Sequence, residues 1–239
     1  MAKTNFYIVF LVELLLAFQA SEASKEVGIY EPKRGNFSVK LTNYGATMLS
    51  LILPGNLVDI VLGYDTIDND VIWTMKSYSE ENHVTFGYES YDREQAKALN
   101  KATPVNLALH TYWNLGGHNS GDILSHTIQD HSKLLYNFLQ PRHIGSRINE
   151  LPHGYDINYV LDDREHRHLN KVADVKYSKT GRKMELWSNQ PGVQFYTANY
   201  LEIEKGKGGF TLNNPNFPSQ IISPRQTYKH IMVFQFTAK

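Results

Sequence analysis

Apolar positions along this chain alternate with polar ones over short stretches and rarely recur at helical spacing. Phe37-Ser-Val-Lys-Leu41 has period two, and Val84, Phe86 and Tyr88 alternate with polar or small residues. Thr47–Leu53 is a nearly continuous apolar run ending at Pro54-Gly55, a turn signal. Strand-like runs recur at Val71–Tyr78, Val105–Leu109, Ile157–Leu161, Val172–Tyr177, Met184–Trp187, Val193–Thr197 and Ile231–Phe236. Many short strands separated by Gly, Pro, Asn and Asp, without helices between them, predict an all-β sandwich rather than a βαβ sheet. No internal repeat and no Pro/Ser-rich linker divides the chain, so a single domain is expected.

The N-terminal residues have a different pattern. Lys3 precedes the mostly apolar run Phe6–Phe18, interrupted by Glu13, and Ser21 and Ala23 supply small residues beyond it. This predicts a secretory signal peptide over residues 1–23, cleaved near Ala23–Ser24, and a domain over residues 24–239. The run is short for a membrane span. If the signal is used, the protein is secreted and Asn36-Phe-Ser38 is an N-glycosylation sequon. An uncleaved N-terminal helix would instead leave it cytoplasmic.

Charge and composition narrow the functions. The 24 Lys+Arg balance 24 Asp+Glu. That argues against a nucleic-acid partner, which needs a basic stripe, and against a polybasic membrane patch. With no cysteine there is no disulfide, thiol nucleophile or thiolate metal site. The 15 Tyr and 11 Phe reinforce the strand reading. The sequence has no GxGxxG after a strand, no P-loop, no HExxH and no GxSxG. His166-Arg-His168 lies within the charged stretch Asp162–Asn170, which reads as a solvated loop rather than a metal site.

One stretch carries candidate chemistry: Asn106–Gly117, NLALHTYWNLGG. It sets a titratable His110 beside Thr111, Tyr112, Trp113 and Asn114. Aromatic rings stack on sugar C–H faces, and amides and carboxylates pair with hydroxyls, so the stretch suits a carbohydrate site. An imidazole titrating near about 6.5 can act as a general acid at neutral pH. On these residues alone, a core histidine in an aromatic cluster is the other reading.

The wider stretch Thr103–Gly117, TPVNLALHTYWNLGG, resembles the signature of the aldose 1-epimerase (galactose mutarotase) family. Val27–Leu41, Thr42–Pro54 and Asp59–Asp65 resemble the family's opening strands. Ile144–Leu161 resembles its central Gly-Tyr-Asp region, and Glu185–Tyr196 and Asn214–Phe236 its late strands. The matches run in order over nearly all of the chain after the signal, and look closest to plant-type members. The resemblance implies a galactose mutarotase-like β-sandwich, or supersandwich. It implies an enzyme with no cofactor and no metal that interconverts the α and β anomers of galactose, glucose and similar aldohexoses. It maps the family's proton donor onto His110. Thr111, Tyr112, Asp156 and Gln194 map onto sugar-binding positions.

The chain also departs from the family pattern. The segment after Asp65 that should carry an arginine motif and a second histidine is missing. Shortening is also expected near Tyr91–Gln95 and Asp130–Tyr136. The family's catalytic glutamate sits in a Leu-Glu-Thr-Gln-like strand. Here Lys205–Asn214 leads directly into Pro215-Asn-Phe-Pro-Ser219, and Glu202 and Glu204 precede that turn without matching the motif. Two explanations account for these gaps: a truly shortened, degenerate paralogue, or exons skipped when the sequence was inferred, the true protein being longer and active. The sequence therefore supports three expectations: an epimerase with impaired activity, a non-catalytic hexose-binding protein, or a non-functional fragment of an incomplete sandwich.

Overall fold

The computed structural model describes residues 5–6, 28–42, 48–53, 57–62, 84–89, 93–98, 101–104, 109–130, 138–161, 169–199, 211–213, 221–224 and 226–238. Outside them lie the proposed signal cleavage site, the Val71–Tyr78 run, residues 105–108 of Val105–Leu109, residues 162–168 with both histidines of His166-Arg-His168, and Glu202 and Glu204. Among the described residues the strands, in chain order, are β1 Asn5–Phe6, β2 Ile29–Tyr30, β3 Lys33–Arg34, β4 Phe37–Thr42, β5 Met48–Ile52, β6 Val84–Glu89, β7 Arg93–Ala98 and β8 Thr103–Pro104. They continue as β9 Thr127–Asp130, β10 Arg142–His143, β11 Asp156–Val160, β12 Asn170–Tyr177, β13 Arg182–Ser188, β14 Gly192–Tyr196, β15 Thr211–Asn213, β16 Ile221–Ile222 and β17 Thr227–Thr237. Two single-turn 3-10 helices, Ile144–Ser146 and Ile148–Glu150, interrupt them.

The largest sheet runs β10-β9-β12-β13-β17-β7-β6, with β1 also on β17. Its spine is the 11-residue β17. On one side β17 pairs with β13 from Lys183↔Thr237 to Ser188↔Met232. On the other it meets β7 near its start and β1 near its end. The alternation read in the sequence is physically explicit in β13, where Arg182, Met184, Leu186 and Ser188 turn inward and Lys183, Glu185 and Trp187 outward. In β12 the register shifts between Lys171 and Ala173, so Val172 and Ala173 are both buried. That bulge brings Lys171 and Asp174 to the same outer face. There Lys171 meets Asp174 at 2.9 Å and Glu185 at 2.6 Å, and Lys183 meets Asp174 at 2.6 Å and Glu185.

A second group, β2-β4-β3 with β5 on β4, supplies Phe37, Val39 and Leu51 to the same core, and Leu53 follows directly after β5. A third, β11-β14-β15, supplies Tyr159, Val193 and Phe195. Trp113 sits between these layers, 5.3 Å from both Phe234 and Phe236 of the large sheet. The result is an all-β sandwich around one continuous core, as the strand pattern predicts. Strands β9 and β7 are additions to that pattern. No described helix is long and apolar enough to cross a membrane.

Candidate active site

The segment around His110 is extended but belongs to no sheet. It is bonded to residues 60–62: Leu62 N–H donates to Tyr112 O at 2.9 Å, and Asn114 N–H donates to Ile60 O at 2.8 Å. Asp59 fixes the receiving side, its Oδ1 accepting from the N–H groups of Leu51 and Val61 at 2.9 Å each. In this extended backbone successive side chains alternate. His110 is exposed and Tyr112 half-buried, whereas Thr111 and Trp113 are buried. Thr111 therefore lies on the core side of the segment, away from the face that His110 and Tyr112 share.

Side chains hold the stretch after Trp113. The buried Asn114 accepts from Gly116 N–H at 3.0 Å and Ser120 Oγ at 3.1 Å and donates to Gly121 O at 3.1 Å. Gly117 has φ 117° and its backbone presses on Val58, whose Cγ1 would stand 2.4 Å from any Cβ there. Both facts require glycine. Leu115 is gripped through both backbone groups. Its N–H donates to His126 Nε2 at 3.1 Å, and its carbonyl accepts from Thr180 Oγ1 at 3.2 Å and Arg182 Nη1 at 3.1 Å. His126 and Arg182 are buried. Burial pushes the His126 imidazole down from 6.5 to about 4 and holds the Arg182 guanidinium below its ordinary value. A neutral His126 ring accepting at Nε2 carries its proton on Nδ1, flat against Tyr177 at 4.3 Å between centroids.

The second part of the site is a regular ladder. Strands β11 and β14 are paired antiparallel from Asp156↔Tyr196 to Val160↔Gly192. Ile157 and Tyr159, with Val193 and Phe195, face the core, so Asp156, Asn158, Gln194 and Tyr196 share the opposite face. Tyr155, fully buried among Phe138 and Phe195, anchors the start of β11 and turns Asp156 outward. Gln194 Nε2 donates to Asp156 Oδ1 at 2.7 Å.

The two parts meet through aromatic rings. The His110 and Tyr112 ring centroids are 5.1 Å apart, and Tyr112 meets Tyr196 edge-on at 6.2 Å. Four of the five residues singled out from the sequence, His110, Tyr112, Asp156 and Gln194, thus fall along one row. Tyr196 and Asn158 join it, although the sequence motifs do not single them out. Their signal is nonetheless present: each stands two positions from a candidate residue in a period-two strand, on the same face. Among the described residues, no three His, Asp or Glu side chains gather in a way that could hold a metal ion.

Comparison with known proteins places this geometry in context. The family profile described as Aldose 1-epimerase matches residues 83–235, more than half of the chain. Galactose mutarotase of Homo sapiens is 30% identical over 176 residues, covering 57% of this chain and 51% of that protein. The Mus musculus galactose mutarotase is 28% identical over 176 residues, with the same coverage. The chain spans about half the length of the curated relatives it matches. Among solved structures, an aldose epimerase homologue from C. elegans has a TM-score of 0.69 at 14% identity, covering 89% of this chain and 99% of that one. Galactose 1-epimerase from Lactobacillus acidophilus has a TM-score of 0.64 at 14% identity, covering 90% and 100%. These two likenesses establish a galactose mutarotase-like sandwich as the fold.

Proposed function

We propose that this chain, which belongs to the aldose 1-epimerase family, binds an aldohexose such as galactose or glucose along the row of His110, Tyr112, Tyr196, Asp156 and Gln194. The observation that carries the reading is that three separate segments bring these side chains onto one face. Tyrosine rings fit the C–H face of a pyranose, and a carboxylate paired with an amide fits neighbouring hydroxyls. In the proposed pose the anomeric end of the sugar lies against the exposed His110.

In this reading His110 protonates the ring oxygen. The anomeric hydroxyl loses its proton, the C1–O5 bond breaks, the open aldehyde rotates about C1–C2, and reclosure gives either anomer. The two proton transfers occur at different oxygens and need an acid and a base on different sides. The sequence has no Leu-Glu-Thr-Gln-like stretch to match the family's base, and in this reading the second proton passes to water. A positioned acid or base contributes roughly 10²–10⁴-fold. The expected activity is therefore mutarotation above the solvent rate but far below that of a complete acid–base pair.

Polarimetry of α-D-galactose, with calorimetric titration of the same sugar, tests the reading on a chain that melts cooperatively. The expected result is a rate above buffer that falls to buffer in His110→Ala while binding persists. Binding without any rate would favour the second reading, a non-catalytic hexose-binding protein; the intact Asp156–Gln194 pair in a chain lacking the family's glutamate speaks for it. A folded chain with neither binding nor rate would sink both.

A further inference from the structure

The ladder that carries Asp156 and Tyr196 is closed, one residue beyond that pair, by an unusual concentration of hydrogen bonds. Thr197 N–H donates to Tyr155 O at 3.0 Å, and Tyr155 N–H donates to Thr197 Oγ1 at 3.1 Å. The same hydroxyl accepts from Asn199 Nδ2 at 3.0 Å and lies 3.3 Å from Tyr155 O, to which it can donate. One Thr197 oxygen, fully buried, thus uses both of its acceptor positions and its proton. Asn199 Nδ2 also reaches Tyr155 O at 3.4 Å.

The backbone is bent to make this possible. Ala198, between the two clamping residues and almost fully buried, has φ 57°. In the bend that precedes β11, Gly154 has φ 64°, and any Cβ there would stand 2.3 Å from Asn199 Oδ1. A left-handed non-glycine residue persists only where its surroundings over-determine it, and such residues cluster near functional sites. Here the strained turn folds the Asn199 amide back over Tyr155, and Tyr155 is the residue immediately before Asp156.

We infer that Thr197 and Asn199 are positioning residues that hold the Asp156 carboxylate in register with Gln194 and Tyr196. Thr197 is buried, and both side chains are bonded to Tyr155, so they act on Asp156 through the residue before it. The clamp explains why an exposed carboxylate at the first position of a strand, where ladders normally fray, keeps a 2.7 Å bond to Gln194. The consequence for sugar binding rests on the function proposed above; the consequence for Asp156 does not.

The test compares the whole chain with Asn199→Ala, Thr197→Val and Thr197→Ser. Three readouts are taken: the melt, galactose affinity by titration, and the NMR resonance of the Gln194 side-chain amide, assigned by its loss in Gln194→Ala. Asn199→Ala should melt cooperatively, lose the hydrogen-bonded Gln194 resonance, and bind galactose about tenfold more weakly, the scale of one hydrogen bond to a charged group. Thr197→Ser, which keeps the hydroxyl, should preserve the resonance and the affinity. Thr197→Val should resemble Asn199→Ala, or fail to fold.

A folded Asn199→Ala with an unchanged Gln194 resonance overturns the inference, and so does an Asn199→Ala that does not fold, because the residue would then be structural. If the wild-type chain binds no galactose, the proposed function falls while the Gln194 resonance still decides the clamp.

Discussion

The two halves of the candidate site are held in different ways. Asp156, Gln194 and Tyr196 stand on a ladder of five consecutive register pairs, where backbone bonding and alternation fix every side chain. His110 and Tyr112 stand on an extended segment outside any sheet, held by the Asp59 carboxylate, the Asn114 amide and the three side chains that grip Leu115. Those three come from 11, 65 and 67 positions along the chain. Within a ladder the register is spread over many equivalent bonds, so losing one changes little, and only its end, closed here by Thr197 and Asn199, depends on single side chains. A segment held by single side chains concentrates its placement in a few groups, each with its own chemistry and its own way to fail.

The largest failure comes from titration. Burial lowers the His126 imidazole in the fold from its ordinary 6.5 to about 4, so it is neutral above that value. Between those values the unfolded chain binds the extra proton and the folded one does not. Stability is therefore fully present above about 6.5 and is lost as pH falls towards 4, by about 3 kcal/mol in all. Protonation also turns Nε2 from an acceptor into a donor facing the Leu115 N–H. The expected outcome is a melting temperature that drops through this window, with amide exchange at Leu115 rising before that at Phe195 on the ladder. His126→Phe keeps the stacking on Tyr177 but removes the titrating group, so it should flatten the pH dependence while lowering stability at pH 7 through the stranded Leu115 N–H. An equal slope in the variant would show that another group drives the loss.

Arg182→Met probes the same half at constant pH. It removes a buried, charge-assisted bond to Leu115 O. Thr180 continues to donate to that carbonyl, so the acceptor is not stranded. A loss of about 2 kcal/mol in a urea melt is expected, the scale of one hydrogen bond to a charged group. Amide protection should fall at Leu115 and persist at Phe195. Equal loss at both would mean that the two halves unfold together and that their different supports have no separate consequence.

The same division decides what the sequence reveals. The ladder half is legible because its rule is local. Period-two runs locate β4, β13 and β14 to within two residues, and in Gly154-Tyr155-Asp156 the buried Tyr155 immediately precedes the exposed first residue of the alternating β11. The supports of the other half leave no local trace. Nothing near His126 or Arg182 in the sequence says that both aim at Leu115. Strand β7 shows the limit from the other direction. Its residues, Arg-Glu-Gln-Ala-Lys-Ala, are good helix formers, yet pairing with β6 on one side and β17 on the other holds them extended. Thr111 adjoins His110 in the sequence, which suggests a shared pocket, but in extended backbone the neighbour of an exposed residue faces the opposite way.

The smallest expected effect lies on the ladder side and has the opposite sign. Ala198 holds φ 57° while buried, a conformation in which its Cβ crowds the backbone. Glycine adopts it without that penalty but loses more chain entropy on folding, so the two effects partly cancel. The strain is the larger, and Ala198→Gly should stabilise the fold by about 0.5–1 kcal/mol. Its value lies in what should stay constant. If the Thr197–Tyr155–Asn199 bonds set the position of Asp156, relaxing the turn between them should raise the melting temperature and leave the Gln194 side-chain resonance in place. If the strain itself keeps the turn folded over Tyr155, glycine would free the Asn199 amide to swing away, and the resonance would broaden even as the melt improves. The pair of readings thus separates a ladder end held by hydrogen bonds from one held by a strained backbone.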